Sequence, residues 1–142
     1  MTKLQAVRKF ADHLAGEHVV IYHTKDDDWG MCMGYSKPRL ETPRDLMRID
    51  GGDRDFRNDF ISRCPLARGF AHVTLSILHE LGHHYNREPF MEMDLDEYNR
   101  AEGLAHFKLP CEMVATDWAI AWLQSPQNRK VAKAFERDFF GY

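Results

Sequence analysis

Apolar and polar residues follow two different periods along this chain, and the periods divide it into elements. Leu4, Val7, Phe10, Ala11 and Leu14 recur at spacings of three and four, which predicts an amphipathic helix over residues 2–15, ended near Gly16. Val19-Val20-Ile21-Tyr22 is β-branched and aromatic and reads as a strand. The polar run Lys25-Asp26-Asp27-Asp28 turns it into a second strand over Trp29–Tyr35, so a hairpin is expected. Pro38 and Pro43 mark an irregular link, and Leu46–Asp50 reads as a short third strand stopped by Gly51-Gly52. The helical period returns with Phe70, Val73, Ile77 and Leu81, predicting a buried helix over 67–86. A loop is expected over 86–94 and a short helix over 95–107. Leu109-Pro110 opens a helix to about Leu123, with proline at the first helical position. Ser125-Pro126 caps and starts a last helix, whose buried stripe is Val131, Ala134, Phe135 and Phe139.

Composition narrows the class. The 142 residues suffice for one sizeable core, not two, so residues 1–142 are expected to form a single α+β domain. Hydrophobic residues make up 44% and charged residues 29%, which is ordinary for a globular chain. A net charge of −3 argues against a nucleic-acid or anionic-membrane partner. Eight basic residues from Lys37 to Arg68 are interleaved with Glu41, Asp45, Asp50, Asp53, Asp55 and Asp59, a mixed solvated surface rather than a basic stripe. The start of the chain lacks the apolar core of a signal peptide, and no run reaches a membrane-spanning length. Cys32, Cys64 and Cys111 are an odd number without a C-x-x-C pair, better suited to a reducing interior than to a disulfide framework. The expectation is a cytoplasmic protein. Asp26, Asp27 and Asp28 lack the spacing of a calcium loop and read as a solvated turn.

The chemistry concentrates in the predicted buried helix, where His79, Glu80 and His83 form an H-E-x-x-H motif. Positions i and i+4 share a helix face, so two imidazoles can grip one metal ion. Glu80 is turned about 100° from His79, where its carboxylate can reach a water at that metal without being a ligand. Zinc lowers the pKa of such a water to roughly 7, and the pattern is that of metalloproteases. The competing reading is a core helix whose histidines are satisfied by hydrogen bonds.

A catalytic zinc normally has three protein ligands and one open position. Glu112, 29 positions beyond His83, is the expected third ligand. It shares a helix face with Ala115, Thr116 and Ala119, small residues that would let its helix approach the motif. The alternative is an acidic residue placed in a first turn for the helix dipole alone, worth about 0.3–1 kcal/mol.

With His79, Glu80, Leu81, Gly82 and His83 followed by Glu112, Ala115, Trp118 and Ala119, and with Leu123 and Pro126 trailing, residues 70–126 resemble the ImmA/IrrE family of zinc metallopeptidases and, more broadly, the gluzincins. The resemblance implies a zincin-like fold with a small three-stranded sheet packed on the motif helix and further C-terminal helices. It also implies one Zn2+ per chain on His79, His83 and Glu112, Glu80 as the catalytic base, and a protein or peptide substrate. The chain departs from the pattern at one place. Many gluzincins carry Asp four residues after the ligand Glu, buttressing a zinc-binding His; here Thr116 stands there and Asp117 follows. The helix–turn–helix module of some family members is absent. The compact size suits a phage or mobile-element protein.

Two other functions compete: a zincin scaffold that binds and regulates a partner without hydrolysis, and a SprT-like protease acting near DNA, which the negative charge weakens. Tyr98 and His106 are the candidates for stabilising a developing oxyanion. His72 shares the face of His79 but reads as a structural histidine, and His84 as a residue at the edge of the site or on the surface. Cys111 projects about 100° from Glu112 and reads as packing, as do Trp118, Trp122, Phe135 and Phe139. Substrate identity and oligomeric state leave no sequence signal.

Overall fold

Thr2 starts the first helix through two reciprocal bonds. Its hydroxyl accepts from Gln5 N at 3.1 Å, and its own N–H donates to Gln5 Oε1 at 2.8 Å, a capping box. Helix α1 (Lys3–Ala15) ends where Gly16 turns left-handed at φ 69, a conformation glycine enters without a Cβ clash. The computed structural model describes residues 1–23, 28–32, 37–47 and 51–142. The buried face of α1, Ala6, Val7, Phe10, Ala11 and Leu14, lies on the last helix, α8 (Pro126–Phe140), where Phe10 stacks on Phe135 at 4.6 Å. Ser125 caps α8 by accepting from Asn128 N, as its sequence predicts.

The sheet differs from expectation in two ways. Strands β1 (Val20–His23) and β2 (Gly30–Cys32) do not form a hairpin; β3 (Arg39–Thr42) lies between them, in the order β1-β3-β2. It runs parallel to β1, pairing Val20 with Arg39, and antiparallel to β2, pairing Gly30 with Glu41. The third strand is therefore the segment between the prolines. Leu40 and Thr42 alternate inward, both fully buried, whereas Leu46 and Met47 form a turn. The acidic turn at 25–27, the end of the second predicted strand at 33–35 and residues 48–50 lie outside the described residues. Gly51-Gly52, expected as a stop, begin helix α2 (Gly51–Arg63).

A 3-10 turn over Pro65–Gly69 precedes α3 (His72–Tyr85), so the motif helix starts later than its apolar period suggested. The predicted loop after it contains a short helix, α4 (Arg87–Met91). The predicted helix over 95–107 is two helices, α5 (Leu95–Arg100) and α6 (Leu104–Phe107), broken where Gly103 takes φ 57. Helix α7 (Pro110–Leu123) has the predicted limits.

Helices α3 and α7 form the centre of the molecule. Both are apolar on most sides, as largely buried helices are; Leu75, Ile77, Leu78, Leu81, Ala115, Ala119 and Leu123 are fully buried. β2 lies against α3, and α8 packs on α1, α3 and α7. Ala71, the N-cap of α3, has no side chain that can cap. Glu136 of α8 substitutes: its Oε2 accepts from Ala71 N at 2.7 Å and from Thr74 Oγ1 at 2.6 Å. A carboxylate at this end also suits the helix dipole. The architecture is mixed α+β, mostly helical with a small three-stranded sheet. No helix of the described residues is long and apolar enough to cross a membrane.

Candidate metal centre

The spacing of His79 and His83 sets two imidazoles one turn apart on α3, with ring centroids 4.7 Å apart. Both residues are buried. Glu112, in the first turn of α7, is 4% exposed, and its carboxylate faces both rings: His83 Nε2 stands 2.6 Å from Oε2, and His79 Nε2 stands 3.5 Å from Oε1. The small face of α7 makes this approach feasible, since Ala115 and Ala119 are packed against α3. Glu80 projects beside the pair, half-buried, into a cleft of about 500 Å³ bordered by Trp29, Glu41, Phe56, Tyr98 and His106. The ligand atoms of His79, Glu80 and His83 lie within 4.8 Å of one another. Glu112 is the closer carboxylate to both imidazoles; it and Glu80 both line the cleft, Glu80 being the more exposed.

Thr116, in the place where many gluzincins carry Asp, lies 2.9 Å from His79 Nδ1 through its hydroxyl. A hydrogen bond at Nδ1 holds the ring plane, with Nε2 facing Glu112. Asp117 turns outward instead and pairs with Arg63 of α2. Phe56 of α2 meets the His79 ring edge-on at 5.1 Å. Sequence reasoning missed Phe56 because it treated 37–68 as solvated surface; the i,i+4 pair Phe56 and Phe60, both buried, is the signal that identifies a core-facing helix there.

Burial and hydrogen bonding set the charges. Burial holds His79 below its ordinary value, against the opposing pull of Glu112. Burial also works to lower His83, but the hydrogen bond and charge of Glu112, with the charge of Glu80, outweigh it and raise His83. Burial alone would raise Glu112; bonds from His106, His79 and His83 overcome it and hold the carboxyl well below the usual range. Among the described residues Glu80 has no such partners, and burial pushes it up to about 8, with His83 opposing.

Two imidazole nitrogens and a carboxylate held ionised, converging from two buried helices, form a His2Glu donor set of the kind that takes zinc. The chemistry of the donors, the fixed Nδ1 of His79 and the carboxylate kept charged all fit a divalent cation. The other candidates divide clearly. Tyr98 and His106 line the cleft, but His106 Nε2 is engaged with Glu112 Oε1 at 2.9 Å. His72 is buried in the core, with its Nε2 3.1 Å from Ser76 Oγ. His84 lies beside Arg87, whose guanidinium is 3.0 Å from its Nδ1. Cys111 packs toward Met93, and burial pushes its thiol up to about 11, unlike a thiolate ligand. Trp118 stacks on Tyr85 and Trp122 meets Phe10 edge-on, so both serve packing, as do buried Phe135 and Phe139.

Compared with known families, curated proteins and solved structures, the chain matches no family model, no curated protein and no solved structure.

Proposed function

We propose that this chain is a zinc-dependent metallopeptidase of the gluzincin kind, similar to the ImmA/IrrE family, acting on a protein or peptide substrate. The observation that carries the reading is the convergence of His79, His83 and Glu112 beneath a cleft that Glu80 enters. These three residues would hold one Zn2+. Bound there, zinc would supply Lewis-acid chemistry, polarising a carbonyl and lowering the pKa of a water. Glu80 takes the proton of the attacking water and returns it to the leaving amine nitrogen. Thr116, bonded at Nδ1, holds the His79 ring with Nε2 turned toward Glu112.

A peptide is favoured as substrate by the wall of the cleft. Trp29, Gly30 and Met31 line it, and β2 pairs with β3 alone among the described strands. Its other edge offers backbone N–H and C=O groups to an extended chain. The binding-only alternative rests on the missing Asp at 116 and on the want of a groove. Thr116 bonding to His79 and the cleft above Glu80 weigh against both grounds.

The test is metal content together with hydrolysis. Wild type should carry about one zinc per chain, and His83→Ala and Glu112→Ala should lose it. Glu80→Gln should keep zinc and lose turnover of a casein or peptide-library substrate. Full hydrolysis by Glu80→Gln would overturn the mechanism.

A further inference from the structure

We propose that His106 is a positioning residue of the metal centre: by donating Nε2–H to Glu112 Oε1 it assigns that oxygen to the protein and leaves Oε2 for the cation. The inference rests on the metal reading given above and adds to it a determinant of affinity that lies outside the motif and outside both ligand-bearing helices.

The Glu112 carboxylate has two oxygens with different surroundings. Oε2 stands 2.6 Å from His83 Nε2 and has no donor in hydrogen-bonding geometry among the described residues. Oε1 is 2.9 Å from His106 Nε2 and 3.5 Å from His79 Nε2. A carboxylate ligand turns freely about its last bond unless its second oxygen has a donor, and donors to such oxygens commonly fix ligand geometry. His106 is that donor. With its Nε2 so engaged, it is not aimed at a reacting carbonyl, which separates it from the oxyanion role that its place in the chain suggested.

The imidazole is held from both sides. Gly103, left-handed at φ 57, starts α6, and a side chain there would crowd Asp55 of α2, whose Oδ2 would stand 3.0 Å from the added Cβ. Phe107 packs on Phe56 at 5.5 Å, and Lys108 Nζ reaches Asp59 Oδ1 at 2.7 Å. The two residues after His106 are thus anchored to α2, and Gly103 before it lies close against Asp55. The ring itself lies between Tyr98 and Phe107, with centroids 5.2 and 5.0 Å away. Its side chain is 25% exposed. A ring confined in this way loses little further freedom when it donates, so the bond forms at low entropic cost. Helix α2 carries no ligand, yet through α6 it fixes the carboxylate on which the centre depends.

The experiment measures zinc affinity by competition with a chromogenic chelator, and the visible spectrum of the Co2+ form, for wild type, His79→Ala, His106→Ala and His106→Gln. His106→Ala should bind zinc about 10–100-fold more weakly than wild type and shift the Co2+ bands. Glutamine places an amide N–H near the position of Nε2, so His106→Gln should recover most of the affinity and the wild-type bands. Wild-type affinity in His106→Ala, with binding lost in His79→Ala, overturns this inference alone. So does His106→Gln binding as weakly as His106→Ala while melting like wild type. Wild type that binds no zinc, indistinguishable from His79→Ala, overturns the metal reading and this inference with it.

Discussion

Gly82 of α3 lies so close to Ala115 of α7 that a Cβ on Gly82 would stand 2.8 Å from the carbonyl carbon of Ala115 and 2.9 Å from its Cα, and nearer still to the carbonyl oxygen. The obstacle is backbone and cannot rotate away. This contact sets the distance between the helix bearing His79 and His83 and the helix bearing Glu112. In an ordinary helix interior, Gly→Ala stabilises by about 1 kcal/mol. Here the clash should win, because forcing packed elements apart costs about 1–3 kcal/mol or more. Gly82→Ala is expected to unfold at lower denaturant and to bind zinc more weakly. A gain in stability would mean that the helices are not in contact.

Thr116→Val keeps the shape of the side chain and removes the hydroxyl that bonds to His79 Nδ1. Zinc affinity should fall about tenfold, within the range seen when partners of metal ligands are lost. Thr116→Asp should hold or improve it, because a carboxylate is a stronger acceptor for the ring N–H. Competition titration against a chelator reads both.

Glu136→Gln should destabilise the fold by about 1–2 kcal/mol, the scale of a lost helix cap. The amide oxygen can still accept from Ala71 N and Thr74 Oγ1, which both bond Oε2, but it loses the charge that strengthens those bonds and suits the helix dipole, and the ion pair of Oε1 with Lys133. Chemical denaturation of the metal-free protein is the appropriate measurement. The ligands are untouched, so unfolding should change more than zinc stoichiometry.

Glu80 gives the metal-free fold a pH dependence of definite sign. Its carboxyl is raised from 4.5 to about 8 by burial, so between those values the folded chain binds more protons than the unfolded one, and stability falls as pH rises. The fall should level off above pH 8. Glu80 is half-buried, and solvent reach reduces the effect to about 1–2 kcal/mol. Glu80→Gln lacks this slope and should melt higher than wild type at pH 8 in the presence of a chelator. Equal melting temperatures across pH 5 to 9 would show that the carboxylate is solvated.

Charge around the cleft predicts substrate preference. Asp28, Glu41 and Glu102 line it together with Glu80 and Glu112, and no Lys or Arg does so among the described residues. Gly30, opposite Glu41, leaves room for that carboxylate: a Cβ there would be 2.7 Å from Glu41 Oε2. A negative wall raises the local concentration of cationic chains. Peptide libraries should therefore be cut preferentially beside Lys or Arg, with the preference weakened in Glu41→Gln and by added salt. A preference for acidic residues would contradict this.

Helices with local punctuation could be read from the chain. Thr2 with Gln5, Gly16, Pro110 and Ser125-Pro126 act within one turn of where they sit, so α1, α7 and α8 have nearly their expected limits. The i,i+4 geometry of His79 and His83 and the small face below Glu112 are also local, and the residues they single out do converge. What failed depends on distant partners. β1, β2 and β3 have four, three and four residues, too few for a period to specify pairing. The insertion of β3 between the others is decided by burial of Leu40 and Thr42. Helix α2 hides two buried phenylalanines among charges, some of which are committed: Asp59 to Lys108, Arg63 to Asp117. His106 becomes part of the site only because α2 anchors the turn that presents it.

The cap on α3 comes from a residue 65 positions after Ala71. During synthesis that acceptor appears only when α8 is made, and until then water must satisfy the N–H of Ala71. A nascent chain halted before α8 would already contain His79, Glu80, His83 and Glu112 and still lack the clamp that defines where α3 begins. On the proposed reading, the site would take its final shape only with the last helix.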